Sequence, residues 1–514
     1  MPTRRQLLQS LAATSLLSAQ PRRHPNIVVI LADDLGYGDL HCYNDNSKIP
    51  TPHLDRMANE GVRFTDAHTP CGVCSPTRYG LLTGRYPWRT ELKSQVLWPW
   101  DRPLIEKDRL TLPGMLKRQG YSTAAFGKWH LGWDWATTDG SKVNTQVKIG
   151  DPQREIRYEF AKKVLFDKPI AEGPTTRGFD YYFGVDLPNF PPYTFIENDR
   201  LTAPPTQQKP DSMFGWPGAM APGWELENVL PEITRRAVSW VKEKSAQADP
   251  YFLYFPMTGP HTPIAPHKDF HGKSQAGRYG DFVHQCDWSA GQILEAIRQS
   301  SPAHDIPARD TIVIFTSDNG PENLTYPLLD QHNHMSQGPL RGAKRMLWEG
   351  GHRVPFLAWG HNPAGRSRIP TGAIEKEVIC LTDIMATAAS ITGHKLPNEA
   401  AEDSYDISAA LFGKKRSKPI REATVHHSMN NEYGLRQGDW VYIDSPKSAH
   451  GAAEPAAWRE RFQIQPHTEN AELFHLNEDL RETTNLIAKH PQRAQTMRAL
   501  LDKYKTQTRS VPRR

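Results

Sequence analysis

A chain of 514 residues that is 38% hydrophobic and 10% aromatic can bury a large core, which excludes a predominantly disordered polymer, and its length predicts one big domain plus a smaller one. The net charge of +5 is a mild cationic bias that suits an anionic substrate. It does not support nucleic-acid binding, because no run of Lys and Arg interleaved with aromatics occurs.

At the start of the chain, Arg4 and Arg5 precede Gln6, Leu7 and Leu8, and a modest apolar stretch runs on to Ala19. This predicts an export signal over residues 1–24, similar in its arginine pair to twin-arginine signals, and hence a periplasmic or secreted protein. The alternative is an N-terminal helix that stays on the chain. The stretch is too short and too polar to span a bilayer, and nothing downstream approaches the roughly 18 consecutive apolar residues that spanning needs, so stable membrane insertion is not expected.

Four apolar runs of strand length then end in functional side chains. Ile27–Ala32 leads into Asp33 and Asp34, and Ser122–Phe126 leads into Gly127-Lys128-Trp129-His130-Leu131-Gly132. Tyr251–Phe255 leads toward Gly259-Pro260-His261, and Thr311–Thr316 leads into Ser317-Asp318-Asn319-Gly320. Continuous apolar runs mark strands covered on both faces, as in a mostly parallel sheet flanked by helices, and such sheets carry their sites at the carboxyl ends of strands. The four clusters are therefore expected to meet in one crevice. Helical stretches at Thr111–Arg118 and Trp288–Arg298 supply the alternation. Two long loops rich in Gly, Pro and aromatics, Gly173–Pro192 and Pro204–Pro222, are candidate insertions at a substrate rim. After residue 385 the texture changes to short strands with polar turns around Asn430–Tyr442 and Glu472–Asn477, closed by a helix at Ala488–Tyr504.

The five cysteines are Cys42, Cys71, Cys74, Cys286 and Cys380. Cys71-Gly72-Val73-Cys74 can be read as a redox dithiol or half a zinc site, but no second Cys-x-x-Cys exists, and the following Pro76 and long chain do not fit a small thioredoxin-like unit. The four cysteines other than Cys74 could form up to two disulfides or remain buried thiols.

Cys74-Ser75-Pro76-Thr77-Arg78, followed by Tyr79-Gly80-Leu81-Leu82-Thr83-Gly84-Arg85, resembles the signature of the type I sulfatases. The resemblance extends from residue 26 to about 360 and returns near the C-terminus in the Glu472-Leu473-Phe474 pattern and Asn485-Leu486. It implies an alkaline phosphatase-like α/β fold: a large mixed, mostly parallel sheet flanked by helices over residues 25–385, with a smaller antiparallel sheet plus helix over 386–514. It also implies that Cys74 is oxidised by a formylglycine-generating maturation enzyme to Cα-formylglycine, whose hydrated aldehyde is the nucleophile. Asp33, Asp34, Asp318 and Asn319, with residue 74, match the family's cation ligands. An all-oxygen set of side chains selects calcium, or less readily magnesium, over zinc or copper.

By the same resemblance, Arg78 orients the nucleophile, Lys128 and Lys344 bind sulfate, His130 takes a proton from residue 74 and His261 faces the leaving oxygen. A helix beginning near Pro76 or Thr77 would bring Cys74 and Arg78 together around its first turn, with Pro76 at a position that needs no N–H. Glu349-Gly350-Gly351-His352-Arg353-Val354-Pro355 also fits the family, its glycines read as a tight turn into a strand over Val354–Trp359. The implied activity is sulfate-ester hydrolysis on a sulfated glycan. Phosphonate or phosphodiester hydrolysis and a catalytically dead carbohydrate-binding relative are the alternatives. Tyr79, Trp98, Trp100, Trp133, Trp135, His332 and His334 are candidate sugar-pocket residues, with burial in the core as the competing reading.

Overall fold

The computed structural model describes residues 23–300, 309–363, 365, 367–445, 454–466 and 468–513. The proposed export signal lies almost wholly outside them. Ten strands form the main sheet: β1 (Asn26–Asp33), β2 (Val62–Phe64), β3 (Ser122–Lys128), β4 (Tyr181–Val185), β5 (Ile196–Glu197), β6 (Arg200–Leu201), β7 (Tyr251–Pro260), β8 (Thr311–Ser317), β9 (Phe356–His361) and β10 (Ala373–Glu375). They lie in the order β10-β2-β9-β8-β1-β7-β3-β4-β5-β6. The central strands β8, β1, β7, β3 and β4 run parallel, while β9 pairs antiparallel with both β8 and β2.

All eight residues of β1 are buried, and their alternation feeds two cores. Ile27, Val29 and Leu31 pack on the face that carries Leu81, Leu82, Leu112 and Met115. Val28, Ile30 and Ala32 pack on the other face, with Leu54, Ile233 and Ile293. This two-sided burial is why the sequence reads as an unbroken apolar run.

Helix α1 (Pro52–Glu60) packs on a long helix, α2 (Gly277–Arg298). The sequence pattern locates only the second half of α2, because the first half buries Asp281, Gln285 and Asp287 where an amphipathic helix would show apolar residues. Those side chains bond backbone instead. Asp281 accepts from Gly272 and Ser274, Gln285 from His267, and Asp287 from His53 and Leu54 at the start of α1.

A second sheet is antiparallel: β11 (Thr424–His427), β12 (Tyr433–Gln437), β13 (Trp440–Asp444) and β14 (Glu472–His475), in that order. The closing helix, α3, spans Pro491–Thr506 and buries Ala494, Met497, Leu501 and Tyr504 at helical spacing. It starts three residues later than expected because Pro491 occupies its first position. All five cysteines are free thiols, so no disulfide contributes. Among the described residues no helix is long and apolar enough to cross a membrane.

Candidate active site

Parallel register sets the frame. β1 and β8 pair through Ala32 and Ser317, so the residues that follow lie side by side. The backbone N–H of Asp34 donates to Asp318 Oδ1 at 3.2 Å, and Asn319 Nδ2 donates to Asp34 Oδ1 at 2.7 Å. Lys128, ending β3, donates from Nζ to Asp33 Oδ2 at 2.7 Å. His261, just beyond β7, sets Nε2 3.8 Å from Asp34 Oδ2. Lys344 reaches in from a loop, its Nζ 2.7 Å from the same oxygen. All of these groups are buried.

The helix carrying Cys74 and Arg78 spans Cys74–Thr83, so Cys74 is its first residue and the expected start near Pro76 is two residues too late. Pro76 is the third residue, still within the turn whose N–H groups have no helical partner. The Arg78 guanidinium donates to Asp318 Oδ2 from Nε at 3.0 Å and from Nη2 at 2.7 Å, and to the Lys128 carbonyl at 2.9 Å. Arg78 thus ties the helix to the ends of β8 and β3.

The field is a dense alternation of sign. Burial pushes the Asp34 carboxyl upward, but Lys344, His261 and Lys128 outweigh it and hold the group well below the usual carboxylate range. Asp318 goes the other way, pushed up to about 6 by burial and by Asp33 despite Arg78. Burial raises the Cys74 thiol against the pull of Lys128 and Lys344, so the unmodified side chain is not poised as a thiolate nucleophile. Burial, with Lys128, drives His130 well below its ordinary value, and burial, with Lys344, lowers His261 to about 3.

Hydrogen bonds fix how each histidine presents itself. Nε2 of His130 meets the Leu97 carbonyl at 2.9 Å, which leaves Nδ1 buried and without a partner. With Nε2–H donating to that carbonyl, Nδ1 carries the free lone pair of the ring. Nδ1 of His261 bonds the Thr262 carbonyl, which leaves Nε2 facing Asp34. A divalent cation fits the acidic cluster on the evidence of its orphaned donors. Asp33 Oδ1 and Asn319 Oδ1 are buried oxygens without a hydrogen-bond partner, beside the Asp34 and Asp318 carboxylates, and oxygen donors of this kind suit calcium or magnesium.

Several supporting residues were not legible in the sequence. Asp186 accepts from the His130 backbone N–H at 3.2 Å and from Trp133 Nε1 at 3.0 Å. Ser75 Oγ accepts the Leu97 N–H at 3.1 Å, linking the cysteine motif to the peptide that orients His130. Glu322 and Arg345 pair beside Lys344. Their one sequence signal is adjacency, to the Asp318-Asn319 cluster and to Lys344 respectively.

Most of the expected sugar-pocket residues lie elsewhere. Tyr79, Trp100, Trp133 and Trp135 are buried in the main core, and His334 is buried against Asp39 at 2.8 Å. His332 sits against Gly277 at the start of α2. The segment expected as a loop over Gly173–Pro192 carries strand β4, and only Trp98 of that set joins the cluster of Leu187 and Phe190, which follow β4, with Trp216 of the Pro204–Pro222 segment. The Phe190 ring stands 6.0 Å from His130, so the stretch after β4 does reach the site. The glycines of Glu349–His352 form a one-turn helix rather than a turn, and the strand follows at Phe356. A Cβ on Gly350 or Gly351 would lie 2.5 Å from the Gly342 carbonyl or 2.3 Å from that of Met346, so close backbone approach is what requires glycine there.

A sulfatase family model matches residues 25–394. The chain belongs to the sulfatase family. It is a sulfuric ester hydrolase, and similar proteins include an N-acetylgalactosamine-6-O-sulfatase of Bacteroides thetaiotaomicron, 32% identical over 95% of this chain and 94% of that one. Human arylsulfatase A is 31% identical over 94% and 86% of the two chains. A solved 6S-sulfatase from the B. thetaiotaomicron locus for metabolism of multiple glycosaminoglycans superimposes with a TM-score of 0.74, at 29% identity, covering 94% of this sulfatase and 100% of that chain.

Proposed function

We propose that this sulfatase removes the 6-O-sulfate of N-acetylgalactosamine in a sulfated glycosaminoglycan. It does so with formylglycine derived from Cys74 and a divalent cation, calcium before magnesium, held by Asp33, Asp34, Asp318 and Asn319. The observation that carries the reading is the junction of the Cys74 helix with these buried oxygens and two lysines, in a chain similar along nearly its whole length to an N-acetylgalactosamine-6-O-sulfatase. When present, the cation supplies Lewis-acid polarisation, and the modified residue supplies a hydrated-aldehyde nucleophile.

The chain's own groups do the rest. Lys128 and Lys344 bring two ammonium groups to the buried pocket, where they neutralise negative charge on the transferring sulfuryl group. Arg78 holds Asp318 and the start of its own helix in fixed relation. His130, with Nδ1 free and Nε2 fixed by Leu97, accepts a proton from residue 74. His261 stands toward the leaving oxygen, and the negative charge of a sulfate ester beside it favours its protonated form. We further assign residues 25–385 to the catalytic domain and 386–514 to a C-terminal subdomain, and the protein to an exported, periplasmic or secreted location, after a maturation enzyme has acted on the unfolded Cys74 segment.

A screen of sulfated mono- and disaccharides, with mass spectrometry of the peptide containing residue 74, tests this. Expected are release of sulfate from N-acetylgalactosamine 6-sulfate and a peptide mass matching formylglycine. Turnover of 4-sulfated or 2-sulfated sugars in preference would refute the substrate, and full activity with an intact cysteine would refute the nucleophile.

A further inference from the structure

Three residues other than glycine hold a left-handed backbone at this site: Asp34 (φ 64), His130 (φ 51) and Arg345 (φ 81). That conformation costs a residue with a Cβ of order 1–3 kcal/mol and persists where function needs the side chain. Asp34 and His130 have roles in the proposed reaction, whereas Arg345 has none. Its backbone is fixed on two sides. The Arg345 N–H donates to the Gly72 carbonyl at 2.7 Å, in the loop that leads into Cys74, and the Lys344 N–H donates to Pro321 at 2.8 Å, just after the Asp318-Asn319 pair.

Side-chain exposure rises outward along one path, from Asp34 (1%) to Lys344 (4%), Glu322 (17%) and Arg345 (26%). Arg345 is therefore the most exposed of the four, outermost in a chain of contacts that begins at Asp34. Glu322 receives its two terminal nitrogens, one of them at 2.7 Å, and lies 3.9 Å from Lys344 Nζ, so one carboxylate serves two cations. Glu322 uses two of the five guanidinium N–H groups and fixes the plane of the fork. The Nε edge keeps a parallel pair of donors, the geometry that matches a carboxylate or sulfate. A lysine could not present that pair, and a glycine would remove the backbone strain.

We propose that Arg345 is a specificity residue that binds an anionic group, a uronate carboxylate or a second sulfate, on the sugar adjoining the one whose sulfate is cleaved. The inference rests on the glycosaminoglycan reading above and makes the preferred substrate an acidic oligosaccharide rather than an isolated sulfated sugar.

Affinity measured by calorimetry in the Cys74→Ala background tests it without turnover. The ligands are N-acetylgalactosamine 6-sulfate, its disaccharide with a uronate, and a disulfated disaccharide lacking uronate. With Arg345 present, at least one disaccharide is expected to bind more tightly than the monosaccharide, and which one identifies the anion. Arg345→Gly should weaken that disaccharide by roughly 10- to 100-fold, the range of a charged hydrogen-bonded pair, and the monosaccharide far less. Its thermal unfolding temperature should be no lower than that of the parent, because glycine suits φ 81. Equal weakening of all ligands, or disaccharides bound no better than the monosaccharide, would overturn the proposal. If the protein with Arg345 binds none of the three, the glycosaminoglycan reading itself fails.

Discussion

Mild acid should destabilise this protein through histidines that lie away from the catalytic pocket. His426 and His427 end β11, and both are buried. They hold the segment that leads into Cys74: His426 Nδ1 donates to the Thr69 carbonyl at 3.0 Å, the His427 N–H donates to Pro70 at 3.1 Å, and the Gly72 N–H donates to the His427 carbonyl at 2.9 Å. His352 stacks on His426 with ring centres 3.8 Å apart and planes 8° from parallel. Burial lowers His352 and His427 to about 4 each, and His426 well below its ordinary value. The unfolded chain takes up these protons near pH 6.5 and the folded chain does not, so the stability they permit is fully present above pH 6.5 and is lost as pH falls toward 4.

At pH 5.5 a group shifted from 6.5 to about 4 costs about 1.4 kcal/mol, so His352 and His427 together cost about 3 kcal/mol, with His426 adding to it. Urea midpoints at pH 7.5 and 5.5, followed by circular dichroism and by sulfate release, measure this. The two signals should fall together, because the same segment positions Cys74. The double variant His352→Gln/His427→Gln should lose about 3 kcal/mol of this pH dependence, the remainder belonging to His426, His130 and His261, whatever its stability at pH 7.5. An unchanged difference between the two pH values in that variant would refute the reasoning.

Asp318→Asn removes a carboxylate that both faces the proposed cation and anchors Arg78. Calcium affinity, measured by titrating the metal-free protein, should fall by at least the roughly 10- to 100-fold that loss of a supporting partner costs a metal site, and activity should fall with it. Unchanged calcium binding would remove Asp318 from the ligand set. For His261→Ala, hydrolysis of a sugar sulfate should suffer by about 10²- to 10⁴-fold and that of nitrophenyl sulfate much less, because a good leaving group needs little protonation. Equal losses on both substrates would assign His261 to sulfate binding.

What could be read from the sequence follows from where each constraint is local. β1, β3, β7 and β8 are buried on both faces, so their residues form unbroken apolar runs, and parallel register brings Asp33, Lys128, His261 and Asp318 together without further information. The first half of α2 escaped because Asp281, Gln285 and Asp287 spend their polarity on distant backbone, which no periodicity reveals. Pocket aromatics and core aromatics have the same composition, so Trp100, Trp133 and Trp135 could be told apart from rim residues only by packing. Beyond adjacency to Lys344 nothing in the sequence marks Arg345, because its left-handed backbone and its pairing with Glu322 are properties of the fold alone.

The second sheet is part of the same constraint system as the pocket. Arg436 on β12 reaches Asp66 at 3.0 Å and Glu349 at 3.2 Å, and Asp66 in turn holds His68 at 2.6 Å. His68 meets His352 nitrogen to nitrogen at 3.1 Å, immediately before the Thr69–Gly72 segment that β11 holds. Breaking any one of these buried links strands a charge or a polar atom, and a lost partner of that kind costs more than the net worth of the contact it made. Residues separated by hundreds of positions thus converge on the few peptides upstream of Cys74. The position of Cys74 is over-determined from the C-terminal side, even though none of the residues proposed for catalysis lies on that sheet.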